Sequence, residues 1–305
     1  MKNIDPNIIF NPCAFFIRTP ILKKLEDQLH HWLRTGMTGG LVLGNYRIGK
    51  TRAIEYVSNR LVNRIGEKIP AKRITISQRD VSTVASIFRN LCFALNIPIN
   101  NRTKADDMAN DLTHYLGELS LQNSSRQIVL MVDEMQRLKV NQLNAFAELH
   151  DNLAELKTNL CIFFIGNLGS SAPLLERIME DEFELIRGRF FTHSFDFYGL
   201  RTKADVSFCL KELDKDFTEF YLPKDFESGW RLAQLSAIIW SIFESNYKRP
   251  LKLQSWGMQY FVAAVRILLV DYLPRYDLND PQAIEEMIVA SIDASGLTPN
   301  LVVAA

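Results

Sequence analysis

The chain has 305 residues, 35 Lys or Arg against 35 Asp or Glu, and 47% hydrophobic residues, which is enough for one large α/β domain beside a smaller helical one. A formal net charge of zero argues against a uniformly basic nucleic-acid coat, and no apolar run approaches the roughly 20 residues of a membrane span. The N-terminus, MKNIDPNIIFNP, lacks the charged start and long apolar core of a signal peptide, so the expected setting is cytoplasmic with no membrane partner.

Residues 1–20 read as an arm punctuated by Pro6, Pro12 and Pro20. A helix is expected over 20–34, with Thr19 as its cap, Pro20 at its first position, and Ile21, Leu22, Leu25, Leu29 and Trp32 on one face. Gly36, Gly39 and Gly40 close it. The apolar run Leu41, Val42 and Leu43 then leads into GNYRIGKT, where Gly44, Gly49, Lys50 and Thr51 stand at the spacing G-x-x-x-x-G-K-[ST]. A helical pattern (Ala53, Ile54, Val57, Leu61) follows to about Ile65. Strand, glycine loop and helix in that order form a phosphate-binding loop, because glycines let successive backbone N–H groups turn inward around an anion at a helix N-terminus. Lys50 is placed to reach the β and γ phosphates of a nucleotide, and Thr51 to hold Mg²⁺.

Residues 73–77 (RITIS) alternate as a strand, 83–95 read as a helix, 97–104 as a loop and 106–120 as an amphipathic helix. The run 127–134, QIVLMVDE, is too short for a free-standing helix and ends in two carboxylates. It reads as a buried parallel strand delivering Asp133 and Glu134 to the carboxyl edge of a sheet, where open α/β sheets bind ligands. Asp133 is expected to complete a Mg²⁺ shell and Glu134 to polarise an attacking water. A helix over 141–156 precedes a third buried strand, 160–166, which ends in Asn167. Asn167 is placed either to orient the lytic water or touch the γ phosphate, or to start the turn NLGSS, and the two roles are compatible.

Arg187 and Arg189 follow the acidic run at 180–184. They sit where oligomeric ATPases carry an arginine that reaches a neighbour's nucleotide, and the alternative is intrachain pairing with Glu180, Asp181 or Glu184. Arg189, before Phe190, is the favoured one. After Leu200 the pattern is helical, with apolar faces over 205–213, 230–243, 256–272 and 282–294, and Trp230, Trp240, Trp256 and Tyr260 are expected in core and interface. The fold class is therefore α/β: a parallel sheet covered by helices on both faces, with a C-terminal all-α lid. Its expected divisions are an arm over 1–20, a core over 21–200, and a lid and tail over 201–305.

Charge is unevenly spread. From Arg47 to Lys104 there are twelve Lys or Arg against Glu55, Glu67 and Asp80, whereas from Asp271 to the end six acids face Arg275 alone. A basic face toward a phosphate backbone and a set of solvated helix faces both account for this. Cys13, Cys92, Cys161 and Cys209 lie far apart among apolar neighbours and indicate buried thiols rather than metal or disulfides. His30 and His31 are adjacent and make a poor chelate.

GNYRIGKT, VLMVDE, the GN closing the third strand, RGRF and the helical C-terminal segment together resemble an AAA+ P-loop NTPase over about residues 10–270. The short lid and the wording VDEMQRLK followed by FIGN are most similar to the TnsC/TniB group of transposition regulators, and NNRTK (100–104) is similar to a DNA-facing loop of that group. The resemblance implies that Gly44, Asn45, Tyr46, Arg47, Ile48, Gly49, Lys50, Thr51 and Arg52 bind ATP, with Thr51 and Asp133 on Mg²⁺. It implies catalytic roles for Glu134, for Asn167 as first sensor, and for Arg189 or Arg187 as a finger acting in trans. Ile17, Arg18 and Ile21 would flank the adenine. Arg102 and Lys104, with Arg89 and Lys139 behind them, would contact DNA phosphates without reading bases. Gly257 is followed by Met258, Gln259 and Tyr260 rather than an arginine, so the second sensor of many lids has no evident counterpart, with Arg249 or Arg266 as substitutes.

The expected function is an ATP-dependent regulator of transposition that oligomerises as a ring or filament on duplex DNA. It links a target-selection protein to a transposase and disassembles on hydrolysis. The alternatives are a helicase loader or replication initiator, and a nucleotide-gated signalling switch with a protein partner.

Overall fold

The apolar runs of the sequence become the strands of one sheet: β1 (Gly39–Gly44), β2 (Ala71–Thr75), β3 (Gln127–Asp133), β4 (Asn159–Asn167) and β5 (Ser194–Asp196). The computed structural model describes residues 5–11, 14–78, 83–276, 278 and 280–298. Pro12, Cys13, Asp80 and the chain after Thr298 lie outside the described residues. All pairings are parallel, and the order across the sheet is β2-β3-β4-β1-β5. β1 lies between β4 and β5, with Gly44 in register with Asn167 of β4, while Thr75 of β2 is in register with Asp133 of β3.

β1, β3 and β4 are buried nearly throughout, as expected of parallel strands covered on both faces. The successive residues Phe163 and Phe164 of β4 display the two coverings, because neighbouring side chains of a strand point to opposite faces. Trp32 of α1 (Pro20–Arg34) stacks on Phe163, with ring centroids 5.7 Å apart. The helices α2 (Lys50–Ser58), α3 (Val84–Ala94), α4 (Ala105–Ser120) and α5 (Leu143–Glu155) follow, and Phe146 of α5 meets Phe164 edge-on at 5.3 Å. Helices α6 (Leu168–Ile178) and α7 (Glu184–Phe190) complete this unit, which comprises residues 24–45 and 50–197.

Several boundaries differ from those read in the sequence. α2 ends at Ser58, not near Ile65, because the Asn63 side chain accepts from the amides of Ile65 and Glu67 and folds the chain into a turn that Val62 and Lys68 close as an antiparallel bridge. β3 stops at Asp133, and Glu134 has left the strand for a left-handed conformation, φ 61°.

The second unit comprises residues 1–23, 46–49 and 198–305. Its helices are α8 (Lys203–Asp216), α9 (Thr218–Tyr221), α10 (Pro223–Glu227), α11 (Ser236–Ile242), α12 (Met258–Ile267) and α13 (Pro281–Ala294), with π-turns Phe243–Lys248 and Leu268–Tyr272 continuing α11 and α12. The expected helix over 230–243 thus begins only at Ser236, after the Asp214 carboxylate has accepted the amides of Leu232 (2.7 Å) and Ala233 (3.0 Å). Trp256 is fully buried and stacks on Phe243 at 4.1 Å. Residues of the arm share this core: Ile9 and Ile17 are buried in it, Phe15 meets Phe217 edge-on, and the Tyr221 hydroxyl donates to the Pro6 carbonyl. No described helix is long and apolar enough to cross a membrane.

Candidate functional site

β1 delivers the chain to the carboxyl edge of the sheet, and Gly44, its last residue, opens the glycine loop. Gly49 closes it at φ 92°, which only glycine adopts freely, and α2 starts at Lys50. The Lys50 ammonium donates to the carbonyls of Gly44 (2.8 Å) and Asn45 (2.6 Å). Burial pulls its pKa below the ordinary lysine value, against the opposing charges of Asp133 and Glu134.

The Thr51 hydroxyl donates to Asp133 Oδ2 at 2.9 Å, while Asp133 Oδ1 accepts the Glu134 amide, also at 2.9 Å. Residues 82 apart in sequence are thus joined at one point of the sheet edge, with Asp133 almost fully buried. Hydroxyl and carboxylate oxygens are hard donors of the kind Mg²⁺ selects.

Glu134 is clamped. Its Oε2 accepts from Gln136 Nε2 (2.8 Å) and pairs with Arg137 Nη2 (3.1 Å), and Arg137 Nη1 donates to the Ile76 carbonyl (3.0 Å) just past β2. Gln136 Oε1 in turn accepts the Asn167 amide (3.2 Å). Gly166 permits this approach, since a Cβ there would lie 2.5 Å from Met135. Sequence reasoning passes over Gln136 and Arg137, whose only signal is their position directly after the carboxylate pair. Asn167 is buried and caps α6, with Oδ1 accepting the Ser170 amide at 3.0 Å.

The two arginines of α7 are used differently. Arg187 donates to the carbonyls of Ile178 (3.3 Å) and Met179 (2.9 Å), the open end of α6. Arg189 pairs with Asp151 of α5 at 2.9 Å rather than with the acidic run beside it. Burial pushes the Asp151 carboxyl up, but hydrogen bonds from Arg189 and His150 outweigh it and leave the group below its usual range. Glu180 and Glu182 pair instead with Arg177.

Of the remaining loop residues, Asn45 and Tyr46 are exposed, Ile48 is buried, and Arg52 pairs with Glu55 at 2.6 Å. Arg18, in the helical unit, is exposed, and its carbonyl lies 3.9 Å from Cys209 Sγ. Arg249 lies 3.8 Å from Glu244, and Arg266 faces the Phe10 ring. Cys92, Cys161 and Cys209 are free and buried. Burial holds the Cys92 thiol up at about 11 and raises the other two further.

The residues expected to meet DNA fall into two groups. Arg102 and Lys104 are exposed on the loop between α3 and α4, and Arg89 holds that loop from beneath through the carbonyls of Asn100 (3.1 Å) and Thr103 (3.4 Å). Lys139 is exposed on a different turn, tied through Gln142 to Ser86 at the start of α3.

Sheet order, glycine loop and carboxylate-ended strand define an AAA+ P-loop NTPase fold. Residues 34–172 match the family model described as AAA domain. The chain is similar in structure to the Aeropyrum pernix ORC2 protein, solved as ADPNP-ADP complexes, with 11% identity over 94% of this chain and 72% of that one, at a TM-score of 0.61. It is also similar to a chain of Drosophila ORC bound to DNA, with 14% identity over 90% and 69% of the two chains, at a TM-score of 0.53. No curated protein matches it in sequence.

Proposed function

We propose that the protein is a Mg²⁺-dependent ATPase that regulates DNA transposition, assembling on duplex DNA with ATP bound and disassembling when ATP is hydrolysed. The observation that carries the nucleotide reading is the 2.9 Å hydrogen bond from Thr51 to Asp133, which joins the glycine loop to the carboxylate strand beside Lys50. Thr51 and Asp133 would hold Mg²⁺, which when bound draws charge from the phosphate oxygens. Lys50 neutralises the β and γ phosphates. Glu134 orients the attacking water, with Asn167 beside it at the end of the adjacent strand.

Arg189 acts on a neighbouring copy. It is the better finger of the two because Arg187 is committed to the end of α6, whereas the Asp151 partner of Arg189 is itself exposed. Arg102 and Lys104 contact phosphates of duplex DNA, and Arg89 serves them by shaping their loop. The transposition role, with a transposase and a target-selection protein as partners, is supported by the wording VDEMQRLK and FIGN.

Electron microscopy with a slowly hydrolysed ATP analogue and duplex DNA tests the assembly. Rings or filaments are expected for the wild type, persistent assemblies with ATP itself for Glu134→Gln, and none for Lys50→Ala. Dispersed particles under conditions where nucleotide binding is demonstrated overturn the proposal.

A second reading, a replication initiator or helicase loader, is favoured by the likeness to Aeropyrum ORC2, which extends over 94% of the chain. Pull-down separates the two readings: a replicative helicase supports the second, a transposase the first.

A further inference from the structure

Arg47, at the crown of the glycine loop, has φ 62°. Side chains other than glycine occupy this left-handed region at a cost, and they stay there when their surroundings hold them. Here the hold comes from the start of α12, which belongs with residues 46–49 to the helical unit. The Gln259 amide donates to the Arg47 carbonyl at 3.1 Å, so the loop supplies an acceptor for the first turn of α12, where Gly257 at the cap position has no side chain to offer. Arg47 Nη1 donates to the Tyr260 hydroxyl at 2.8 Å, and the guanidinium carbon lies 5.3 Å from the centroid of the Tyr260 ring. The fit is close: a Cβ on Gly257 would stand 3.2 Å from the Arg47 carbonyl oxygen and 3.1 Å from the Tyr260 ring.

None of the roles assigned above uses Tyr260. We propose that Tyr260 is a positioning residue for the phosphate loop: by holding the Arg47 side chain it keeps residue 47 left-handed and sets the shape of the Tyr46–Gly49 crown before nucleotide arrives. This rests on the reading of the loop as an ATP site. It also explains how a loop with arginine where glycine would adopt the backbone unaided keeps its form.

The test follows from the difference between arginine and glycine at position 47. Mg·ATP is titrated into the wild type, Tyr260→Phe, Tyr260→Ala, Arg47→Gly, and Tyr260→Ala combined with Arg47→Gly, with thermal melts to establish that each variant is folded. Tyr260→Ala is expected to bind about tenfold more weakly, with the loss in KM rather than kcat, and Tyr260→Phe, which keeps the ring and loses the hydroxyl, to fall between. With glycine at position 47 there is no side chain left to hold, so the double variant is expected to bind within about threefold of Arg47→Gly alone. Wild-type affinity in Tyr260→Ala overturns the proposal. So does a further loss of about tenfold on adding Tyr260→Ala to Arg47→Gly, which would make Tyr260 a direct contact of the nucleotide. The wild-type titration comes first and separates the two failures: no binding there overturns the ATP reading itself, and the positioning role with it.

Discussion

Arg137 Nη2 lies 3.1 Å from Glu134 Oε2, and the same guanidinium donates to the Ile76 carbonyl, so the proposed water-orienting carboxylate is fastened to the end of the neighbouring strand. A left-handed residue just off a strand has few ways to hold its side chain, and this ion pair and the Gln136 amide supply one. Arg137→Ala is expected to lower kcat for ATP hydrolysis about fivefold with KM little changed, since the pair is partly exposed and orients a group acting in the transition state. Steady-state kinetics checks this. A rise in KM with kcat intact would remove Arg137 from the chemistry.

Lys50 is expected to trade stability for binding. Its pKa is lowered, so burial disfavours the charged form more than Asp133 and Glu134 favour it. For a cation with a lowered folded-state pKa the unfolded chain binds protons more tightly, so the penalty is fully present at neutral pH and is relieved only as pH rises from the folded value toward 10.5. Lys50→Met is thus expected to abolish ATP binding while raising the melting temperature at pH 7 by about 2 °C. Calorimetry with and without nucleotide measures both effects.

If Arg189 serves a neighbour's site, loss of the arginine and loss of the carboxylate complement each other. Arg189→Ala and Glu134→Gln are each expected to be inactive alone, and an equal mixture to regain roughly a quarter of wild-type hydrolysis, since an intact Glu134 then meets an intact finger about that often. No recovery in demonstrably mixed assemblies would place Arg189 outside the site. The Asp151 carboxyl is held below its usual 3.8, so its pairing with Arg189 stays intact above that value and is lost as pH falls through the lowered pKa.

Duplex binding is expected to weaken uniformly across sequences in Arg102→Ala and Lys104→Ala, with the logarithmic salt slope falling by about 0.9 for each phosphate that is no longer neutralised. Fluorescence anisotropy over a salt series reads this. Arg89→Ala is expected to release the loop it holds and weaken binding through the backbone, with a raised exchange rate of the Asn100–Lys104 amides as its distinguishing mark.

The fold was legible because its signals are local and redundant. Three buried strands announce themselves as unbroken apolar runs, and the glycine spacing before α2 has one backbone solution. Features that depend on what meets a residue across space were not legible. Nothing around Asn63 says that its side chain will end a helix by gathering the Ile65 and Glu67 amides. The acidic neighbours of Arg189 hide a partner 38 positions earlier in the chain. Arg137, Gln136 and Tyr260 stand in no motif, because their contacts reach Ile76, Asn167 and Arg47 through folded geometry alone.

The burial of Ile9 and Ile17 among α8 to α13 has a consequence for biosynthesis. The sheet-bearing unit closes its core with residues no later than Phe197, so it can mature while the ribosome is still translating. The helical unit cannot: its earliest hydrophobes stay exposed until partners such as Phe217 and Tyr221, about two hundred codons downstream, appear. Chaperone dependence during expression should accordingly concentrate on the N-terminal segment, and trimming or tagging it should compromise the distant C-terminal helices first.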